Sequence, residues 1–264
     1  MRIVGNGTLE RRYDMAGARE HYDNLLAAHY SWICGGSALN FEQNRKFFHA
    51  HGIRPALSGA AVDLGAGSGF QSIPLSQAGF KVIAIDVCHD LLMELKSHPQ
   101  GSSIVTVEDN LLNFTGHLHG NVELIVCMGD TITHLQTLEE VQILLEAAGR
   151  ALEYDGRFIL GFRDLTSELK DLDRFIPVRS DSDRIFTCFL EYEKMHVKVH
   201  DIIYEKTANR WAMKKSWFRK LRISPQWMSD CLRKTGFTIE GLDIDNGMTT
   251  IIARRLKRSP HVRN

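Results

Sequence analysis

The sequence predicts an α/β fold, a doubly wound sheet of seven strands closed by a C-terminal hairpin, with an inserted antiparallel β region. Three observations predict it. Apolar strands and helical stretches alternate from residue 60 to 162, the pattern of a parallel sheet covered by helices on both faces. The period then changes to successive β-rich runs, which read as an insertion at about 174–223. Finally, Asp245-Asn246-Gly247 joins two short strands through an Asn-Gly step that favours a tight hairpin turn.

Residues 1–55 form an N-terminal helical lead, and residues 56–264 carry the sheet. In the lead, Tyr22, Leu25, Leu26, Tyr30, Trp32 and Ile33 recur at near-helical spacing before Gly35-Gly36 breaks the helix. The strands of the sheet are expected at 61–64, 81–86, 103–107, 122–127 and 156–162, with helices near 70–78, 89–97 and 137–152. Pro74 is tolerated in the first turn of its helix, where the missing N–H has no partner to lose. In the insertion, runs at 184–192, 196–205 and 211–222 are separated by polar turns such as Thr207-Ala208-Asn209. Ser224-Pro225 then supplies an N-cap and a proline at N1 for a helix that runs to Lys234 and stops at Gly236. The last strand pair follows at 237–243 and 248–254.

The stretch Val62-Asp63-Leu64-Gly65-Ala66-Gly67-Ser68-Gly69 ends an apolar strand in an acid followed by three alternate glycines. Glycine is needed where φ is positive or where the backbone closely approaches a ligand. Dinucleotide-binding turns read Gly-x-Gly-x-x-Gly and set a pyrophosphate on the next helix. Here the third glycine arrives one residue early, and Asp63 would repel a pyrophosphate but suits an ammonium. S-adenosylmethionine (SAM) offers an ammonium, a sulfonium, a ribose diol and an adenine, and no phosphate. The second strand ends in Asp86, where α/β nucleotide sites place a carboxylate on the ribose hydroxyls. The third leads into Glu108-Asp109-Asn110, and the fourth into Met128-Gly129-Asp130-Thr131-Ile132-Thr133-His134-Leu135.

Val62 to Gly69 resembles the first motif of the class I SAM-dependent methyltransferases, and the later acids and glycine follow at strand ends in that family's order. The resemblance implies a Rossmann-like sheet with an antiparallel C-terminal end, SAM as cofactor and S-adenosylhomocysteine (SAH) as product. It implies a cofactor site drawn from Asp63, Gly65, Ala66, Gly67, Asp86, Val87, Asp109, Asn110, Met128 and Gly129, with Asp109 toward the adenine amino group. The segment from Met128 to Leu135 is similar to the Gly-Asn-Ser-x-x-His-Leu segment of small-molecule enzymes of the glycine N-methyltransferase type, with Asp130 where that pattern has Asn. In such enzymes an insertion after the fifth strand builds the substrate pocket, while the lead here is expected to cover the cofactor.

Methyl transfer is an in-line displacement at a sulfonium, so the protein mainly orients the partners and excludes water. An amine nucleophile needs a free lone pair and gains from a nearby carboxylate, which Asp130 supplies; a hydroxyl needs a base, for which His134 has a suitable ordinary pKa. Asp130 and His134 are therefore the candidate catalytic residues, and Tyr30, Trp32 and Arg163 the candidate acceptor contacts. Each also has a plainer role open to it: an N-cap for Asp130, a backbone-bonded polar residue for His134, helix packing for Tyr30 and Trp32, an ion pair for Arg163. The expected activity is methyl transfer to N or O of a small molecule. The alternatives are an RNA or protein methyltransferase and a SAM-binding module without turnover.

Charge bears on that choice. With 32 Lys and Arg against 32 Asp and Glu the net charge is zero, whereas a nucleic-acid partner calls for a basic face. No Asn/Asp-Pro-Pro-aromatic motif follows the fourth strand. No long apolar run suits a membrane, and the five cysteines lack metal-like pairing, which points to a reducing cytoplasm and no metal. Asp164-Leu165 also departs from the Asp-Asn pair of metal-assisted O-methyltransferases, and His196 and His200 alternate with valines as a solvated strand face would.

Overall fold

The computed structural model describes residues 16–208 and 210–256. Its helices are α1 (Ala16–His21), α2 (Tyr30–Ile33), α3 (Ser37–Ala50), α4 (Ser72–Gln77), α5 (His89–Ser97), α6 (Leu138–Ala151) and α7 (Pro225–Lys234). The strands are β1 (Ala60–Leu64), β2 (Lys81–Asp86), β3 (Val105–Glu108), β4 (Val122–Cys127), β5 (Leu152–Arg163), β6 (Phe175–Ser180), β7 (Arg184–Tyr192), β8 (His196–Thr207), β9 (Arg210–Leu221), β10 (Phe237–Asp245) and β11 (Met248–Arg255). Among the described residues no helix is long and apolar enough to cross a membrane.

Seven strands form the main sheet in the order β10-β11-β5-β4-β1-β2-β3. β1 to β5 run parallel, and β11 runs antiparallel to both β5 and β10. The chain leaves β1 toward β2 and β3 and then returns to β4 on the other side, so the order reverses between β1 and β4. Loops after these two strands open the crevice where ligands of such sheets bind.

β4 is buried at every position, as a strand covered on both faces must be. Glu123 lies inside this apolar run because its carboxylate accepts the backbone N–H groups of Ala56, Leu57 and Gly59 at 2.7, 3.0 and 2.8 Å. It thereby ties the segment between α3 and β1 to the sheet. β5 begins at Leu152, four residues earlier than its apolar run suggests, because its pairing with β4 continues through an irregularity in register near Glu123. There Asp155 takes φ 68°, and a Cβ on Gly156 would come within 2.8 Å of the Glu123 carbonyl.

α6 shows the 3.6-residue pattern directly, burying Val141, Leu144, Leu145 and Ala148 against the sheet. α7 opens as its sequence implies, with Ser224 Oγ accepting from Trp227 N at 3.1 Å and Pro225 at the first position. Ser224→Ala is expected to lower stability by about 1 kcal/mol, read as a fall in the urea midpoint at unchanged slope. Asn246 and Gly247 take φ 49° and 75° in the closing hairpin, the mirror-image turn that Asn-Gly favours.

The insertion is an antiparallel meander in the order β6-β7-β8-β9. Its first strand, β6, lay in the β-rich stretch but is not one of the three runs expected there; Pro177 is compatible with it because β6 is an edge strand with a register shift beside the proline. Alternation on β8 turns Val197, Val199, Asp201 and Ile203 inward. Together with Phe186, Leu190 and Phe218 the apolar members of this face pack on Leu25 and Leu26 of the lead. The lead itself is a broken helix, with a π-helical turn at Tyr22–Leu26 and a 3-10 turn at Ala27–His29 between α1 and α2.

Candidate active site

The loop after β1 is fastened to β2 by Gly65 N and Ala66 N, which both donate to the Ile85 carbonyl at 2.8 and 3.0 Å. Gly65 has φ 74°, and a Cβ there would overlap the Thr131 side chain from the loop after β4. This glycine is needed for the approach of the two loops, and it also lines the cavity between them. Gly67, at φ 49°, lies on the cavity between them and faces Tyr30, whose Cε1 would stand 3.5 Å from an added Cβ. Ala66 turns into the core at 3% exposure and does not line the cavity.

Asp86 Oδ2 accepts Gly67 N and Oδ1 accepts Cys88 N, both at 2.8 Å, so one carboxylate braces the glycine loop and the start of α5. It lines the cavity beside Ile85, Val87 and Leu91. Burial raises its pKa against the opposing effect of those N–H groups. Asp63 sits behind the loop and does not line the cavity. Its Oδ2 accepts Ser72 Oγ at 2.6 Å, while Oδ1 is buried without a partner among the described residues. Burial, opposed by Ser72 and reinforced by Asp86, pushes its pKa up to about 7.

Asp109 lines the cavity with Leu111. Burial works against its ionisation, but Asn113 Nδ2 at 2.9 Å, His117 Nε2 at 2.7 Å and Asn110 N at 2.7 Å outweigh it and hold the pKa below the ordinary carboxylate value. His117 thus has an acidic partner that its immediate sequence neighbours do not reveal. Asn110 is an N-cap whose Oδ1 accepts Leu112 N at 2.9 Å, and it lies outside the cavity lining.

After β4, Gly129 lines the cavity, whereas Met128 packs into the core beneath it. Asp130, at φ 73° and 3% exposure, is saturated: Oδ1 accepts Arg163 N at 2.9 Å and Thr133 Oγ1 at 3.1 Å, and Oδ2 pairs with Lys220 Nζ from β9. It neither caps a helix N–H nor lines the cavity. Arg163 contributes that backbone N–H, while its guanidinium turns away to the Asn246 carbonyl at 3.3 Å. Lys220 was not singled out from sequence. The available signal was its phase on β9, since it shares the inner face with Phe218 and pairs with buried Val197.

His134 does line the cavity, at 7% exposure, with its ring on Phe218 (5.1 Å between centroids) and edge-on to Tyr22 (5.9 Å). Its Nδ1 has no partner among the described residues. Burial first, then Lys220, lowers its pKa to about 3 despite Asp130. Tyr22 and Tyr30 close the cavity from the lead and leave a space of about 50 Å³. Tyr30 stacks on Phe70 at 5.6 Å, and burial keeps both phenols protonated. Ser31 anchors this part of the lead to Glu94, which also accepts Ser68 Oγ at 2.7 Å. Trp32 is not brought to the cavity: its ring meets Arg184 at 4.3 Å and Arg179 at 5.8 Å on the insertion.

Two of these groups give stability opposite pH slopes. The unfolded chain protonates His134 near 6.5 while the folded chain resists to about 3, so its contribution is present above 6.5 and is lost as pH falls through that window. Asp63 ionises at 3.8 when unfolded but at about 7 when folded, so its contribution is present at low pH and is lost as pH rises between them. His134→Gln is expected to move the pH of maximum stability down and Asp63→Asn to move it up, measured by urea midpoints from acid to neutral pH.

Residues 61–156 match the family described as a methyltransferase domain. A glycine/sarcosine N-methyltransferase of Aphanothece halophytica is 28% identical over 150 residues, 56% of this chain and 53% of that protein. One of Halorhodospira halochloris is 29% identical over 105 residues, 39% of each. The chain spans about half the length or less of these curated relatives. Among solved structures, the CcbJ methyltransferase of Streptomyces caelestis aligns with a TM-score of 0.68 at 15% identity, covering 81% of this chain and 89% of that one. CalS10, an amino pentose methyltransferase of Micromonospora echinaspora solved with SAM, aligns at 0.65 and 12% identity over 97% and 99%. At these identities the structural likeness establishes the fold.

Proposed function

We propose that this chain, a member of the class I SAM-dependent methyltransferases, moves a methyl group from SAM to an amine nitrogen of a small molecule. The observation that carries the reading is the cavity at the ends of β1, β2 and β4, lined by the Asp86 carboxylate, an acceptor of the kind a ribose diol requires, and by the backbone of Gly65 and Gly67. Asp109, Val87 and Leu111 offer a polar and apolar seat for an adenine, and Gly129 leaves room beside the reacting centre. The space left by Tyr22 and Tyr30 is far smaller than SAM, so the lead yields as the cofactor enters.

Bound SAM supplies an electrophilic methyl group on a sulfonium. The residues around it favour an amine acceptor. A hydroxyl would need a base, and His134, with its pKa lowered to about 3 and no carboxylate bonded to it, is a poor one. An uncharged imidazole can instead accept a hydrogen bond from an amine N–H and steer its lone pair, with Tyr22 and Tyr30 excluding water. Asp130 is then a positioning residue that holds Lys220 and the end of β5 rather than a contact to the amine. The named N-methyltransferases among relatives and neighbours agree with nitrogen as the target. The free cysteines, Cys34, Cys88, Cys127, Cys188 and Cys231, agree with a cytoplasmic setting.

Calorimetry with SAM and SAH, followed by a methyl-transfer screen over amino acids, amino sugars and phenols, tests this. Binding with methylation of an amine is expected. Methylation of phenols alone would overturn the nitrogen assignment, binding without any turnover would favour a regulatory module, and no binding would remove the cofactor assignment.

A further inference from the structure

The two faces of the meander differ in what covers them. The inner one packs its valines on the lead, and there Asp201 Oδ2 meets His21 Nε2 at 2.8 Å. An antiparallel sheet with one face on a core normally gives polar residues to the other. The outer face here does not. Phe175, Ile185, Tyr204, Trp211, Met213 and Trp217 stand on it and are 38–51% exposed. Register sets them in rows across the sheet: Ile185, Tyr204 and Met213 pair in one, and Phe175, Phe189, His200 and Trp217 in another. A groove of about 390 Å³ runs along the second row, lined by Phe175, Phe189, Ile202 and Trp217 among others.

Size comes first. With a whole aromatic side chain burying roughly 150–250 Å², the exposed parts of these six groups present on the order of 500 Å² of largely apolar surface, more than the few hundred that a monomer usually leaves in one patch. With strands about 4.8 Å apart and β8 twelve residues long, the whole face measures on the order of 700 Å², close to the roughly 800 Å² each partner contributes to a standard interface. Charged rows flank the apolar band, the arrangement of an interface core and its rim. In both rows the acid stands on β7 or just before it and the base on β8: Glu191 beside Lys198 at one end, Asp183 beside Lys206 at the other.

We propose that the outer face of the meander binds a second copy of this chain, the two sheets packing face to face about a two-fold axis parallel to the strands. That axis sets β7 against the partner's β8 and β6 against the partner's β9. Glu191 then meets the partner's Lys198, Asp183 meets the partner's Lys206, and Phe175 meets the partner's Trp217 across the groove. A two-fold axis across the strands would instead bring Asp183 onto Glu191 and Lys206 onto Lys198, so charge selects the first. This match of the face with itself is what singles out a second copy, since an unrelated partner requires no such pattern. Glu191 already accepts Lys198 Nζ at 3.2 Å within one protomer, so the rim sets orientation and the rings supply affinity. The inference stands apart from the methyl-transfer reading, because the groove and the cofactor cavity share no lining residue.

Sedimentation velocity of the full chain at micromolar concentrations tests it. The wild type is expected to move as a dimer, and Trp217→Lys and Met213→Lys as monomers with urea midpoints little changed. Charge reversal reads the symmetry. Asp183→Lys with Glu191→Lys, and separately Lys198→Glu with Lys206→Glu, should each weaken the dimer about tenfold or more. Mixing these two double variants should restore it, because every contact between unlike chains is again acid on base while the pairs within each chain stay mismatched. A monomeric wild type overturns the proposal, as does a dimer that survives both Trp217→Lys and Met213→Lys. Mixed double variants that stay as weakly associated as each alone overturn the face-to-face arrangement about this axis.

Discussion

Asp130→Ala is expected to lower stability by about 3–5 kcal/mol, the range for removing one partner of a buried ion pair. The loss is large because three donors lose one acceptor: Lys220 Nζ, Arg163 N and Thr133 Oγ1 all converge on this carboxylate. It joins the end of β4, the end of β5 and the last strand of the insertion, so its removal loosens the wall next to His134. Adding Lys220→Met should recover part of the stability, since the uncompensated charge goes with it. Urea unfolding of the two singles and the double decides the matter. Losses below about 1 kcal/mol in Asp130→Ala would mean that the pair is not formed in solution, and Asp130 would again be available to an acceptor amine.

Asp86→Ala is expected to weaken SAM binding about 5- to 150-fold, equivalent to roughly 1–3 kcal/mol, from the loss of a charged acceptor. The structure adds a second reason. The same carboxylate holds Gly67 N and Cys88 N, so its removal also takes away the brace of the glycine loop. Asp86→Asn retains an acceptor for one of these N–H groups and should fall between wild type and alanine. Calorimetry showing equal SAM affinity in all three would place the ribose elsewhere.

Most of the sheet was legible because its signals are local. An apolar run closed by an acid and glycines, a Ser-Pro helix start and an Asn-Gly turn each carry their own geometry, and β4, α5 and α7 fall where those signals put them. The cavity-lining residues at strand ends, Gly65, Gly67, Asp86, Val87, Asp109 and Gly129, were legible for the same reason. Contacts between segments far apart in sequence were not. Lys220 lies 90 residues from Asp130 and His21 lies 180 from Asp201, and no local pattern links them. The visible hint was phase, an acid at 201 among inward valines and an isoleucine, which called for a buried partner without naming it. Trp32 shows the converse, an aromatic whose spacing suits a lid but whose ring is taken by two arginines of the insertion.

The apolar cluster between the lead and the insertion draws Leu25 and Leu26 from the lead and its other buried members, Phe186 to Phe218, from the insertion, while the main sheet supplies none of them. The residues that close the cavity and those that wall it therefore share one small core of their own. A small core of this kind is expected to open as a unit, ahead of the parallel sheet. In hydrogen exchange the amides of β7, β8 and the lead should move together and ahead of β1 and β4. A lead that withdraws to admit a cofactor then uncovers the inner face of the meander, so ligand exchange and local unfolding draw on the same opening. Destabilising that core, for example by Leu26→Ala, should speed cofactor release even though Leu26 does not line the cofactor cavity.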